Sequence, residues 1–220
     1  MGQKEMNVKS ASLLVYLERE YPDAKCALNF ANDYECLTAI LLSAQATDKS
    51  VNMVTPSLWR HYPDPKSLSL ADCKAIERDI RSVGLSHSKA LRLKALALRL
   101  YTDFGGLVPH SFEALIDLPG VGKKTAGVFL IERDNRPAIP VDTHISRIAT
   151  RLHYCKEDED PFRIETKLEK SFPKEEWIFL HHALIAFGRA VCKAKNPECE
   201  RCDMRQFCSY FKKTRSTTGK

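Results

Sequence analysis

Apolar residues along the chain recur mostly at helical spacing, and no run keeps up the strict alternation that a half-buried strand would show. Leu93, Leu96, Ala97 and Leu100 form one i, i+3, i+4, i+7 set; Ile145, Ile148, Ala149 and Leu152 form a second; Leu180, Ala183, Leu184 and Phe187 form a third. Each set describes one buried stripe on a helix. Breaks fall at Pro22, from Pro63 to Pro65, at Gly84, at Gly105 and Gly106, at Pro137 and Pro140, and at Pro173. The pattern therefore predicts an all-α chain of roughly ten short helices. Pro56 interrupts the segment after Asp48 and predicts a kink or a split there. No internal repeat is present, and the acidic run Glu157 to Asp160 reads as an exposed connector before Pro161.

At 220 residues the chain is long enough for one large domain or two small interlocked ones. Hydrophobic residues at 44%, charged residues at 28%, and only 9 Gly and 11 Pro exclude a disordered, collagen-like or low-complexity chain. No apolar run approaches the ~20 residues that cross a bilayer. The polar start MGQKEMNVKS has no apolar stretch like a secretory signal, and Met6 stands where myristoylation wants Ser or Thr. These features lead us to expect a soluble, intracellular protein.

The formal charge of +6, from 34 basic and 28 acidic residues, favours a polyanionic partner without establishing one. Its distribution says more. No acidic residue lies between Arg81 and Thr102, a stretch that carries Arg81, Lys89, Arg92, Lys94 and Arg99. Lys89, Arg92 and Arg99 fall on one helical stripe, which is either a phosphate track or a solvated face.

Eight cysteines occur, and the last four crowd together as C-x6-C-x2-C-x5-C at Cys192, Cys199, Cys202 and Cys208. Intracellular chains rarely keep disulfides, so four such thiols point to one metal centre. Structural zinc usually takes two close pairs of thiolates, whereas only Cys199 and Cys202 form such a pair. The uneven wrap suits a cubane iron-sulfur cluster, each iron taking one thiolate, with zinc as the alternative. Lys193, Lys195, Arg201 and Arg205 lie among these ligands, so the metal would stiffen a basic loop. Cys26, Cys36, Cys73 and Cys155 read as buried apolar fillers.

The segment LPGVGKKTAG, residues 118–127, carries the densest information. Leu115 and Leu118 end one short helix, Pro119 to Gly122 form a tight turn, and a second helix starts near Lys123. Gly120 and Gly122 are expected to adopt conformations closed to larger residues and to let a ligand approach the backbone. Exposed amides at the start of the second helix then face an anion, and a DNA phosphate fits. Neighbouring helical residues point about 100° apart, so Lys123 and Lys124 cannot both face one cleft. Gly127, one turn beyond Lys124, leaves space on that face and favours Lys124 as the cleft residue. Partial desolvation beside amide dipoles would free some of its amine for attack on a sugar carbon. In PVDTHISRIATRL, residues 140–152, Asp142 reads as a helix N-cap held ionised, suited to steady a cation or take a proton. His144, His181 and His182 lack an i, i+4 partner for a metal and read as packing or polar residues.

Together, LPGVGKKTAGV, PVDTHISR and C-x6-C-x2-C-x5-C resemble the endonuclease III family of DNA glycosylases, within the helix-hairpin-helix superfamily whose motif ends in Gly, Pro and Asp. LLSAQATDKSVN, residues 41–52, and GLSHSKA, residues 84–90, resemble family segments too, so the likeness runs from about Leu13 to Cys208. The resemblance implies a bilobal all-α protein. One lobe, residues 26–136, is a six-helix barrel with the hairpin; the other joins 1–25 to 137–220 and holds a [4Fe-4S] cluster on Cys192, Cys199, Cys202 and Cys208. It also implies double-stranded DNA with damaged bases or abasic sites as partner, bound in the cleft between lobes by a monomer. Lys124 attacks C1′ of a flipped nucleotide while Asp142 assists, the base departs, and β-elimination cuts the strand 3′ to the abasic sugar. Gln45 and Leu85 match the residues that fill and wedge the hole left by the extruded base, and Gly120, Val121, Gly122 and Lys123 those that hold the backbone.

The function implied is a bifunctional glycosylase and abasic-site lyase of base excision repair, acting on oxidised pyrimidines. Gly127 stands where the family often has Asn, and Ile116 and Asp117 depart from many relatives near the base pocket. A monofunctional adenine or mismatch glycosylase is opposed by Lys124 and by the lack of an extra C-terminal domain; a non-catalytic DNA-binding module is opposed by Lys124 with Asp142. With no long N-terminal extension, the expected location is a bacterial or archaeal cytoplasm, in association with the nucleoid.

Overall fold

The computed structural model describes residues 3–217, with side chains described for residues 7–214. Among these residues there is no strand; the backbone lies in twelve α-helices joined by turns and short 3-10 segments. The chain divides into two compact units, one formed by Cys26–Arg136 and the other by Met1–Lys25 with Pro137–Lys220.

The central unit contains α2 (Asp33–Ser43), α3 (Asp48–His61), α4 (Pro65–Leu70), α5 (Cys73–Asp79), α6 (Ser86–Asp103), α7 (Phe112–Ile116) and α8 (Lys123–Asp134). Side-chain oxygens start most of them. Asn32, Thr47, Asp64, Asp72 and Ser111 each accept a backbone N–H from the first turn of the helix that follows. α6 ends at Gly105 and Gly106, both at positive φ, where the Gly106 N–H reaches back to the Leu100 carbonyl at 2.9 Å. The stripe Leu93, Leu96, Ala97 and Leu100 lies wholly inside this unit's core, together with α2, Val51, Val54 and Leu58 of α3, and Phe129 of α8. α3 runs on as one helix through Pro56, so the segment is not split there; Val51, Val54 and Leu58 are buried on both sides of the proline.

The second unit contains α1 (Gln3–Glu20), α9 (Thr143–Arg151), α10 (Pro161–Glu169), α11 (Trp177–Ala190) and α12 (Ser209–Thr217). Its core gathers Leu13 and Leu17 with the other two sequence-read stripes, Ile145 to Leu152 and Leu180 to Phe187. Lys9 of α1 is fully buried here. Its ammonium donates to the carbonyls of Leu152 at 2.7 Å and His153 at 3.2 Å, and stands 3.8 Å from the centre of the Tyr154 ring. A cation on the free carbonyls that end α9 matches the sign of the helix dipole there. Glu157 and Asp158 are exposed in the connector, and Asp160 caps α10.

Of the four scattered cysteines, only Cys36 is a fully buried filler. Cys73 and Cys155 pack at the edges of the two cores, and Cys26 is half-buried.

Candidate active site and cysteine loop

The hairpin of the central unit runs from α7 into α8. Leu115 and Leu118 are buried, which anchors the end of α7 and aims the chain into the turn. The Val121 N–H donates to the Leu118 carbonyl at 3.1 Å, closing a turn with Pro119 and Gly120 at its centre. Proline presets the first central position and Gly120, at φ +80°, supplies the second, which a side chain would strain. A Cβ at Gly120 would also lie 3.2 Å from the Leu41 side chain. Gly122 departs from the expectation. Its backbone is extended, at φ −93° and ψ 174°, and a Cβ there would meet open space. Its missing side chain therefore serves access, not backbone conformation. No side chain caps α8, so its first amides remain available to an outside anion.

Lys123 and Lys124 are the first two residues of α8, and both are exposed. The partial desolvation expected of Lys124 is not present in this chain. The buried face of α8 is built by Ala126, Gly127, Phe129, Leu130 and Ile131, and Lys124 lies off it. Gly127 is part of that buried face.

Gln45 and Leu85 stand in two connections earlier in the chain than the hairpin, α2 to α3 and α5 to α6. Both are exposed, and both hold left-handed backbone, at φ 54° and φ 62°. A leucine pays for that conformation and is still 61% exposed. Leu85 is thus a surface residue and takes no part in the core.

In the second unit Asp142 is the N-cap of α9. Its Oδ1 accepts the Ile145 N–H at 2.8 Å, and the carboxylate is half-buried. The bond fixes the carboxylate at the start of the helix. His144 accepts from Arg147 Nη2 at 3.1 Å, and burial holds its pKa below the ordinary histidine value. His181 is buried in the core, its ring against His182.

Cys192, Cys199, Cys202 and Cys208 line one pocket with Arg151, Pro197, Tyr210 and Phe211, and none of the four is in a disulfide. Among the described residues no three His, Cys, Asp or Glu side chains converge on a single point. The thiols instead surround a shared space, as a polynuclear group requires when each of its irons takes a separate thiolate. Burial pushes the Cys202 thiol up to about 12, and the neighbouring cysteines push the same way against a bond from the Met204 N–H. Burial likewise raises Cys199, with Cys208 and Cys192 adding to it. Two thiols that resist ionising, on one pocket with two more, form a donor set whose thiolate charge a bound polycation would offset. The residues fit a cluster.

Two residues that the sequence reading passed over hold this loop. Arg147 Nε donates to the Cys192 carbonyl at 2.9 Å and its Nη2 to the Gly188 carbonyl at 2.9 Å. Arg151 donates to Cys192 Sγ at 3.3 Å and to the Lys193 carbonyl at 2.9 Å, and its guanidinium lies 4.0 Å from the Tyr210 ring centre. Their i, i+4 spacing on the helix that Asp142 starts was the available signal.

Comparison with known proteins matches residues 38–174 to the model of the HhH-GPD superfamily base excision DNA repair proteins. The chain is 39% identical over 188 residues to endonuclease III of Bacillus subtilis strain 168, covering 86% of each sequence. Among solved structures it resembles a non-covalent endonuclease III-DNA complex, with a TM-score of 0.92 and 39% identity, covering 98% of this chain and 100% of that one. It also resembles a trapped endonuclease III-DNA covalent intermediate, with a TM-score of 0.91 and 38% identity, covering 98% and 99%.

Proposed function

The chain belongs to the HhH-GPD superfamily of base excision DNA repair proteins and, within it, to the endonuclease III family; from that premise we propose how its own residues carry the reaction. It is a bifunctional DNA glycosylase and abasic-site lyase that acts on double-stranded DNA. Oxidised pyrimidines are its proposed substrates, Lys124 its nucleophile and Asp142 the carboxylate that assists.

The amine of Lys124 attacks C1′ of a nucleotide turned out of the stack. The C1′–N bond breaks, the base leaves with the bonding electron pair and takes a proton from water, and Asp142 takes the proton lost by the attacking nitrogen. The sugar ring opens to an imine between Lys124 and C1′. Loss of a C2′ proton then expels the 3′ phosphate, and water releases the enzyme from the product. Leu85 and Gln45 occupy the space of the extruded base, which offsets an unstacking cost of a few kcal/mol. The amides of Gly120, Val121 and Gly122 and the side chain of Lys123 hold the strand. What supports the reading is that a lysine stands at the uncapped start of α8 and an aspartate caps α9, each on the motif that the family uses.

Cys192, Cys199, Cys202 and Cys208 are the proposed ligands of a [4Fe-4S] cluster, supported by the pocket they share. Such a cluster would cross-link the basic loop, and Arg147 and Arg151 tie that loop to α9. A monomer in a bacterial or archaeal cytoplasm, associated with the nucleoid, is the proposed setting; no described helix is long and apolar enough to cross a membrane.

Borohydride reduction tests the mechanism. Wild-type protein incubated with lesion-bearing duplex should give a covalent protein-DNA adduct, and Lys124→Ala should give none. An equal adduct from Lys124→Ala would remove Lys124 from the role.

A further inference from the structure

The stripe Lys89, Arg92 and Arg99 resolves into three different environments on α6. Arg99 is neutralised, pairing with Asp103 at 2.5 Å and Asp117 at 2.9 Å. Lys94, between them in sequence, donates to the Ala71 carbonyl at 2.7 Å. Lys89 is only 2% exposed, and its Nζ is buried with no hydrogen-bond partner. Burial, with the charge of Arg92 second, holds its pKa below the ordinary lysine value. A buried ammonium left without a counter-charge is costly, and folded chains seldom keep one without a use.

Arg92 lies one turn beyond Lys89 on the same face, exposed and without a hydrogen bond or ion pair among the described residues. Its stem runs along the hairpin. The Cβ and Cδ of Arg92 each lie 3.5 Å from where a Cβ on Gly120 would stand. Arg92 thus meets the hairpin, whose helix start has no side-chain cap, and the buried Lys89 stands one turn before it on the same helix. The N-terminus of α6 likewise lacks a side-chain cap at Leu85. The stretch from Arg81 to Thr102 holds no acidic residue that could neutralise them from within.

We infer that Lys89 and Arg92 form an anion seat on the flank of the hairpin, where Arg92 binds a phosphate of the DNA strand and Lys89 supplies the uncompensated charge that holds it. The inference rests on the DNA-repair reading and adds two binding residues to it. Both lie outside the hairpin itself. A phosphate here would be shared between the guanidinium fork and the Gly120 turn, and its charge would offset the field of the buried ammonium. Because the contact is to the backbone, it acts on damaged and undamaged duplex alike.

The test is equilibrium binding of the full chain to a duplex with a non-cleavable abasic-site analogue, titrated across potassium chloride concentrations. Arg92→Gln should bind several-fold more weakly on lesion and undamaged duplexes, and its log K against log salt slope should be shallower by about 1. Arg99→Gln, whose charge is already matched, should keep the wild-type slope. Lys89→Met should melt at a higher temperature than wild type yet bind DNA less tightly, opposite signs that a packing role would not give. An Arg92→Gln slope equal to wild type, or Lys89→Met binding as tightly as wild type, would overturn the seat while leaving the glycosylase reading intact. Wild-type protein that binds no duplex would sink both.

Discussion

Gln45 and Leu85 share a backbone state that neither residue type favours, left-handed at φ 54° and 62°, and the Gln45 carbonyl lies 3.9 Å from where a Cβ on Gly84 would stand. The two connections therefore approach each other at Gly84, each presenting an exposed side chain from a strained residue. Strain of this kind costs about 1–2 kcal/mol per residue and persists where the surrounding helices impose it.

Replacing Leu85 with Gly should separate fold from function. Glycine removes the strain, so the unfolding midpoint should hold or rise by about 2–4 °C, the shift that ~1 kcal/mol gives at this chain length. Base extrusion should fail, because the wedge is gone. Thermal unfolding and the fluorescence of a base analogue opposite the lesion would check the two halves; normal extrusion by Leu85→Gly would refute the wedge.

Asp142 combines an N-cap with a proposed chemical role, and two substitutions divide them. Asp142→Ser keeps an oxygen for the Ile145 N–H and should stay near wild-type stability, whereas Asp142→Ala should lose about 1 kcal/mol. Both should lower turnover by roughly 10²–10⁴. Urea unfolding beside single-turnover base release would decide it, and an active Asp142→Ser would confine Asp142 to capping.

The two hairpin glycines should respond differently. Gly120→Ala meets both a positive φ and the Leu41 side chain, so it should destabilise by about 1–2 kcal/mol and weaken DNA binding. Gly122→Ala adds a methyl to open surface on extended backbone. It should leave stability within about 0.5 kcal/mol of wild type while crowding the strand. Denaturation and duplex affinity, measured on both, test the assignment.

Substitution of one cluster cysteine, Cys199→Ser, should cost iron content, visible colour and thermal stability together, since a loop organised by a metal loses its cross-link. Elemental analysis of anaerobically purified protein checks this, and a colourless wild-type protein carrying zinc would reject the cluster.

His110 links three elements of the central unit. Its Nδ1 bonds Asp134 at 2.6 Å at the end of α8, and its Nε2 bonds Asp33 at 3.1 Å at the start of α2, where Asp33 also takes Arg133. The Asp134 bond is the chief reason that the His110 pKa is raised, with Asp33 adding to it. A raised folded pKa makes the contribution complete below the unfolded value of about 6.5 and removes it as pH climbs through the folded value. His110→Gln should thus destabilise more at pH 6 than at pH 8.5. Urea midpoints at the two pH values would show it, and an equal loss at both would mean that His110 acts through packing on Phe129 alone.

The sequence by itself determined the helices, the hairpin, the cap at Asp142 and the grouping of four thiols. Each is a local matter of 3.6-residue periodicity, proline and glycine breaks, or short-range spacing. The stripes Leu93 to Leu100, Ile145 to Leu152 and Leu180 to Phe187 were legible because a helix buries one face whatever it packs against. What only the tertiary structure decided was the environment of each charge and each strained residue. Lys89, Arg92 and Arg99 look alike on a helical wheel. Asp103 and Asp117 neutralise the last, the core encloses the first, and the hairpin takes up the stem of the second. Burial and counter-charge come from residues distant in sequence, so periodicity carries no record of them. The same reason hid Arg147 and Arg151, whose partner Cys192 lies about forty residues further along.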